Sequence, residues 1–160
     1  MKKALYLSFA LIFACSNSDE QNTSLTFLQK YEGVIWDSSS GNTFLYNRVI
    51  NDLNTPFEVW INAPSITDDC YNYFVSDFSN PNDNLITDIN ITINSEDEFE
   101  YREFGTGDFG VEQVQVFKYL VVGNTLEIEQ RIFEEGQLVF TELNLQTRVE
   151  VDVDSFVLCD

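Results

Sequence analysis

Cysteine at positions 15, 70 and 159, lysine at 30 and 118, and a surplus of carboxylates are the groups from which this chain could build chemistry. Histidine is absent. That removes the side chain that most often serves as general base and as metal ligand near neutral pH. A nucleophilic triad would have to use a lysine, and beyond Lys2 and Lys3 only Lys30 and Lys118 are present. Carboxylates could serve a glycosidase in pairs, but the sequence singles out no pair. Gly105-Thr106-Gly107-Asp108-Phe109-Gly110 spells two motifs at once. As G-x-G-x-x-G it would have to open a helix whose N-terminus holds a pyrophosphate. As D-F-G it would need a catalytic loop and a lysine-bearing strand. The next residues, VEQVQVFKYLVV, alternate like a strand, so the glycines read as a loop. Asp77, Asn80, Asn82, Asp83 and Asn84 crowd oxygens into one turn. They lack the central glycine and closing glutamate of an EF-hand and read as a polar hairpin turn. Glu96, Asp97 and Glu98 read as a solvated turn. No catalytic residue, metal or cofactor is expected, and the chain reads as a non-enzyme.

The elements that carry these residues begin with an address. Lys2 and Lys3 precede an apolar run from Ala4 to Ala14, too short for the roughly 20 residues a membrane helix needs. A basic head and a short apolar stretch suit a secretory signal. The run ends Ile12-Phe13-Ala14-Cys15, which resembles the lipobox of bacterial lipoproteins. The resemblance implies a signal peptide over 1–14, cleavage after Ala14, and lipidation of Cys15 as the new first residue. The partner of the N-terminus is then a lipid bilayer, stably held when two or more acyl chains are present. Residues 15–24 read as a flexible tether. Within them Ser16-Asn17-Ser18-Asp19-Glu20 resembles the acidic tag of lipoproteins sent to the outer face of the outer membrane. The expected location is the cell envelope, on the outer membrane, periplasmic or surface-exposed. The formal charge of −19, from 8 basic and 27 acidic residues, repels nucleic acid and anionic headgroups. No nucleic-acid partner is expected, and the sequence names no protein partner.

With Cys15 acylated, Cys70 and Cys159 remain. In an exported domain two cysteines read as a disulfide, here tying the last residues to the middle of the chain. The alternative, a redox pair, has no C-x-x-C spacing to support it.

Residues 25–160 are long enough for one domain with a real core. Alternation dominates them. Leu85, Thr87, Ile89, Ile91 and Ile93 oppose Asp88, Asn90 and Thr92; Leu126, Ile128 and Ile132 oppose Glu127, Glu129 and Arg131. A period of two with one wet face implies antiparallel strands. Strand-like runs fall near 33–38, 43–50, 57–62, 70–76, 85–94, 98–104, 112–122, 124–133, 137–147 and 149–158, with turn clusters between them. Val114 and Val116 face one way and Phe117, Tyr119 and Val121 the other; Leu138 and Phe140 give way to Leu143 and Leu145. A bulge or bend is expected at each slip. The one helix candidate covers Leu25 to Tyr31. The fold expected is all-β, an antiparallel up-and-down barrel of about eight to ten strands, or a sandwich.

The arrangement resembles the lipocalin-like lipoproteins of bacteria over Phe27 to Arg148. The marks are the lead TFLQKYEG, the glycine-to-tryptophan stretch Gly33-Val34-Ile35-Trp36, one residue longer than the family's glycine-any-tryptophan, and the late hairpins FKYLVVGNTLEIEQRIFEEGQLVFTELNLQTR. The resemblance implies a barrel whose floor is closed by the tryptophan. Fourteen phenylalanines, seven tyrosines and two tryptophans either fill such a barrel or line its mouth. On strand phase, the walls of a pocket would be Trp36, Tyr46, Phe57, Val59, Tyr73, Tyr101, Tyr119 and Ile128. Two functions are open. One is an anchored barrel binding a small apolar or amphipathic ligand. The other is a non-catalytic structural or partner-binding surface lipoprotein with a filled interior. An apolar cavity of about 300 Å³ or more separates them.

Anchorage through Cys15 is directly testable. Cys15→Ala should remain an unacylated precursor and lose all palmitate labelling in growing cells; undiminished labelling would remove the lipoprotein reading.

Overall fold

The computed structural model describes residues 24–63, 70–79, 86–107 and 110–159. Cys15, the leader, most of the tether and the oxygen-rich turn from Asn80 to Asn84 lie outside them. The alternating runs form nine antiparallel strands in one sheet. These are β1 (Ile35–Asp37), β2 (Phe44–Val49), β3 (Phe57–Asn62), β4 (Asn72–Val75), β5 (Ile86–Asn94), β6 (Glu98–Thr106), β7 (Glu112–Val122), β8 (Thr125–Glu134) and β9 (Gln137–Val149). The spatial order is β4-β3-β2-β1-β9-β8-β7-β6-β5. Every neighbour pair is consecutive in the chain except β1 and β9, so the first strand lies mid-sheet beside the last.

That order is an up-and-down barrel cut between β4 and β5. The expected closure is not made: no ladder joins those two strands, and the sheet stays open. The backbone explains the opening. After β4 the chain runs on beside β3 and past its start: Ser76 N–H donates to Phe57 O, and Phe78 N–H donates to Asn54 O. Phe78 then fills the seam with its ring, 4.5 Å from that of Tyr101 on β6. Across the seam between β4 and β5, side chains rather than a backbone ladder make the bridge.

One short helix, α1 (Phe27–Tyr31), caps one end. Thr26 and Gln29 form a capping box that satisfies two orphan N–H groups at its start. Phe27, Leu28 and Tyr31 are its buried face. The acidic turn of Glu96 and Asp97 clasps the other side: Lys30 Nζ lies 2.9 and 2.8 Å from their carboxylates, and Tyr31 OH donates to Asp97 at 2.6 Å. Hydrogen bonds from Lys30 and then Tyr31 hold the Asp97 carboxyl below its ordinary pKa. The turn expected to be merely solvated is a fastening for the helix.

Expected details differ in three places. The run 149–158 is not a tenth strand. The chain leaves the sheet after Val149, makes a 3-10 turn at Val153–Ser155, and meets Tyr71 through a single parallel bridge at Leu158. It lies over the outer face of β2–β4, because Val153 finds a buried seat there and Cys159 is bonded to Cys70, 89 residues away. The slip expected in β7 is absent, since its register runs unbroken from Glu112 to Val122. In β9 a bulge lies at Val139, between the pairs Ile132–Phe140 and Phe133–Leu138, and the register runs unbroken from Phe140 to Thr147. β5 looks perfectly alternating in sequence yet carries register shifts at Thr87 and Thr92. Both threonine hydroxyls donate to carbonyls of β6, Phe104 O and Glu100 O. That gives each displaced residue a partner and turns Ile93 to the face of Glu100.

The disulfide should hold the C-terminal segment over Trp60, which is buried. In the loop-entropy model a closure of this length contributes about 4 to 5 kcal/mol. Reduction should therefore lower the urea-unfolding free energy by roughly that amount. In a Trp36→Phe background, acrylamide quenching of Trp60 should rise as the segment lifts.

Candidate functional site

Register assigns each strand residue to one of two faces. The inner face carries Leu45, Asn47 and Val49 of β2, Phe57, Val59 and Ile61 of β3, and Phe99, Tyr101 and Glu103 of β6. It continues through Gln113, Gln115, Phe117, Tyr119 and Val121 of β7, and Leu126, Ile128, Gln130, Ile132 and Glu134 of β8. It has two halves of opposite polarity.

The half beneath α1 is a layer of rings. Phe57 on β3 stacks on Tyr119 of β7 at 4.6 Å and meets Phe99 edge-on at 5.7 Å. Tyr101 stacks on Phe117 at 4.9 Å. Tyr31 meets Trp36 at 6.0 Å. Trp36, Phe57, Phe99, Tyr101, Val49 and Leu126 form the buried cluster with the apolar face of α1. Burial pushes the Tyr119 phenol up to about 12 and that of Tyr101 well above its ordinary value, so both stay neutral at any physiological pH. The indole N–H of Trp36 is buried without a hydrogen-bond partner among the described residues.

The other half is a chain of amides. Gln130 Nε2 donates to Gln115 Oε1 at 3.0 Å, Gln115 Nε2 to Gln113 Oε1 at 3.0 Å, and Gln113 Nε2 to Glu134 Oε1 at 3.3 Å. Asn47 Nδ2 donates to the buried Gln146 Oε1 at 2.9 Å across the junction of β2 and β9. This row explains the apparent slip in β7. The phase never changes; the apolar residues change face, from Val114 and Val116 outside to Phe117 and Tyr119 inside. Val116 is nevertheless buried outside, within a pocket of about 220 Å³ walled by Arg102 and Arg131. The two guanidiniums lie 3.5 and 3.3 Å from the nearly buried carboxylate of Glu100.

Of the expected pocket walls, Trp36, Phe57 and Tyr101 are core residues, and Tyr119 and Ile128 pack half-buried against them. Val59 shares their face, paired across from Asn47. Tyr46 and Tyr73 lie on the opposite face, as direct cross-strand neighbours of Trp60. There Tyr46 packs with Tyr71 and Phe156. Tyr73 OH donates to Glu58, whose other oxygen takes Arg48 Nε at 2.7 Å, and Arg48 also grips Asp154 at 2.9 Å. The Arg48 guanidinium sits 5.1 Å from the Trp60 ring centre, a cation–π contact. A pocket of about 180 Å³ opens beside this set. Cys70 and Cys159 are bonded. The amide row is hidden in the sequence because Gln113 and Gln115 look like the wet side of a strand whose valines are inside.

The ring layer has a measurable weight. Phe57→Ala should destabilise the protein by about 3 to 5 kcal/mol, since it removes a buried ring from the contact that spans the sheet. Phe140→Ala, at a residue 43% exposed on the same face, should change stability by no more than about 0.5 kcal/mol. Urea unfolding of the two variants makes the comparison.

No protein-family model, curated protein or solved structure matches this chain.

Proposed function

We propose that the chain is a lipid-anchored, non-catalytic partner-binding module whose inner face beneath α1 is filled by its own side chains, tethered at the outer membrane through Cys15. The observation that carries this reading is the ring layer. Phe57 and Tyr119 belong to strands on opposite halves of the sheet, and their centroids are 4.6 Å apart. Residues that would wall an apolar ligand pocket instead touch each other, so the space between them is taken. The absence of histidine and the bonded state of Cys70 and Cys159 favour a non-enzyme. A strongly acidic, soluble body on a lipid tether suits a surface that meets other proteins.

A second reading, a small amphipathic ligand held on the inner face, draws on the amide chain of Gln113, Gln115 and Gln130. Such a ligand would set its apolar end against Phe117 and Ile128 and its polar end on the amides.

A neutral hydrophobic dye separates the two. In a Trp60→Phe background Trp36 alone reports on the interior. Titration of the folded, disulfide-intact protein with Nile red should leave Trp36 emission unchanged. A saturable shift with a dissociation constant near micromolar, abolished by Phe117→Asp in a protein still folded by circular dichroism, would favour the ligand reading instead.

A further inference from the structure

β9 is paired along both edges for only part of its length. β8 lies against it from Gln137 to Thr147, whereas β1 pairs only Thr147, Arg148 and Val149. Past Asp37 the chain turns toward β2, with Ser38 N–H donating to Leu45 O. From Gln137 to Gln146, then, the edge of β9 away from β8 has no strand neighbour among the described residues. Unpaired N–H and C=O groups on such an edge are a template for another strand, and native proteins usually blunt it with lysine, proline, a bulge or brevity. Here the bulge sits at Val139, and from Phe140 to Gln146 the sequence FTELNLQ offers no lysine and no proline.

From Phe140 to Leu145 the side chains along this edge also lack cover. Leu143 is 58% exposed and Leu145 57%, both on the outer face beside Glu129 and Glu127. Glu142 and Asn144 are exposed on the inner face. The strand therefore presents leucines on one side and an acid on the other, backed by a second row of acids. Charge selects the occupant. A second copy of this chain would bring another −19 and set Glu142 near its own equivalent, which is repulsive. An extended segment with apolar residues on one alternate set and lysine or arginine on the other matches both faces.

We propose that the edge of β9 from Phe140 to Gln146 captures an extended, basic segment of a partner protein by adding it to the sheet as a strand. Its apolar side chains lie against Leu143 and Leu145, its cations lie toward Glu142, and its backbone completes the ladder. The site rests on the reading of the chain as a partner-binding module and names the partner's chemistry.

The probe is a fluorescent peptide of alternating valine and lysine, titrated by anisotropy into the whole chain in mild detergent with its disulfide intact. We expect micromolar binding at 50 mM salt, weakened roughly tenfold or more at 500 mM. Methylation of alternate backbone nitrogens of the peptide should also weaken it at least tenfold, as should the double change Leu143→Lys and Leu145→Lys at exposed positions. Glu142→Arg should weaken the lysine peptide and strengthen a valine–glutamate one, a gain that misfolding cannot mimic. Failure to bind, equal binding of the methylated peptide, or indifference to the leucine changes overturns the proposal. So does self-association through the leucines in sedimentation, or displacement of the peptide by phosphatidylcholine vesicles, which would assign the edge to a second copy or to lipid. The Trp36 dye titration is independent of this edge. A silent dye with a failed peptide removes the edge site alone, whereas a responding dye removes the partner-module reading.

Discussion

Phe57 and Tyr119 stack face to face between strands that no backbone hydrogen bond connects, and this contact turns a sheet with two free ends into a body with an inside. Around it Phe99, Tyr101 and Phe78 continue the same layer across the seam between β4 and β5. Aromatic pairs contribute directional attraction beyond the area they bury, which suits them to a joint that must fix the curl of the sheet without a ladder. The helix α1 depends on this joint as well. Its buried face rests on Phe99 and Trp36, and its clasp to Asp97 orients it only because β6 already stands behind it.

The two halves of the sheet are finished differently. On β2 and β3 both faces carry packing, the inner against the ring layer at Val49 and Phe57 and the outer against the C-terminal segment, which the disulfide and the Arg48 network with Glu58 and Asp154 hold in place. On β7–β9 the inner face changes from rings to amides and the outer stays largely open. The thick half is braced by covalent and ionic contacts, and the thin half leaves backbone and leucines at the surface.

Strand positions are legible in the sequence because a half-buried strand imposes a period of two: 57–62 and 112–122 match β3 and β7 residue for residue. The disulfide is legible by elimination. Which face is inner is not. A period of two has no sign, so strand phase groups Tyr46 and Tyr73 with Phe57 and Tyr101 although they pack against Trp60 on the far side. Nor does a period reveal polarity swapping faces along a strand, as happens in β7 between Val116 and Phe117. The shifts at Thr87 and Thr92 come from β5 fitting β6 in three dimensions, and isolated alternation carries no trace of them. The open seam depends on where the chain goes after Val75, a tertiary choice made by Ser76 and Phe78.

The position of β1 has a consequence for how the molecule comes into being. Two local meanders, β1–β4 and β5–β9, meet through three residue pairs, Ile35–Val149, Trp36–Arg148 and Asp37–Thr147. Those pairs bring together opposite ends of the domain, so they carry nearly the longest loop closure available and form slowly. Until β9 has been synthesised, the first strand can lean only on β2. The domain therefore cannot finish folding from its N-terminus while its C-terminus is still emerging. A chain threaded through a narrow pore would complete its sheet only after β9 had passed.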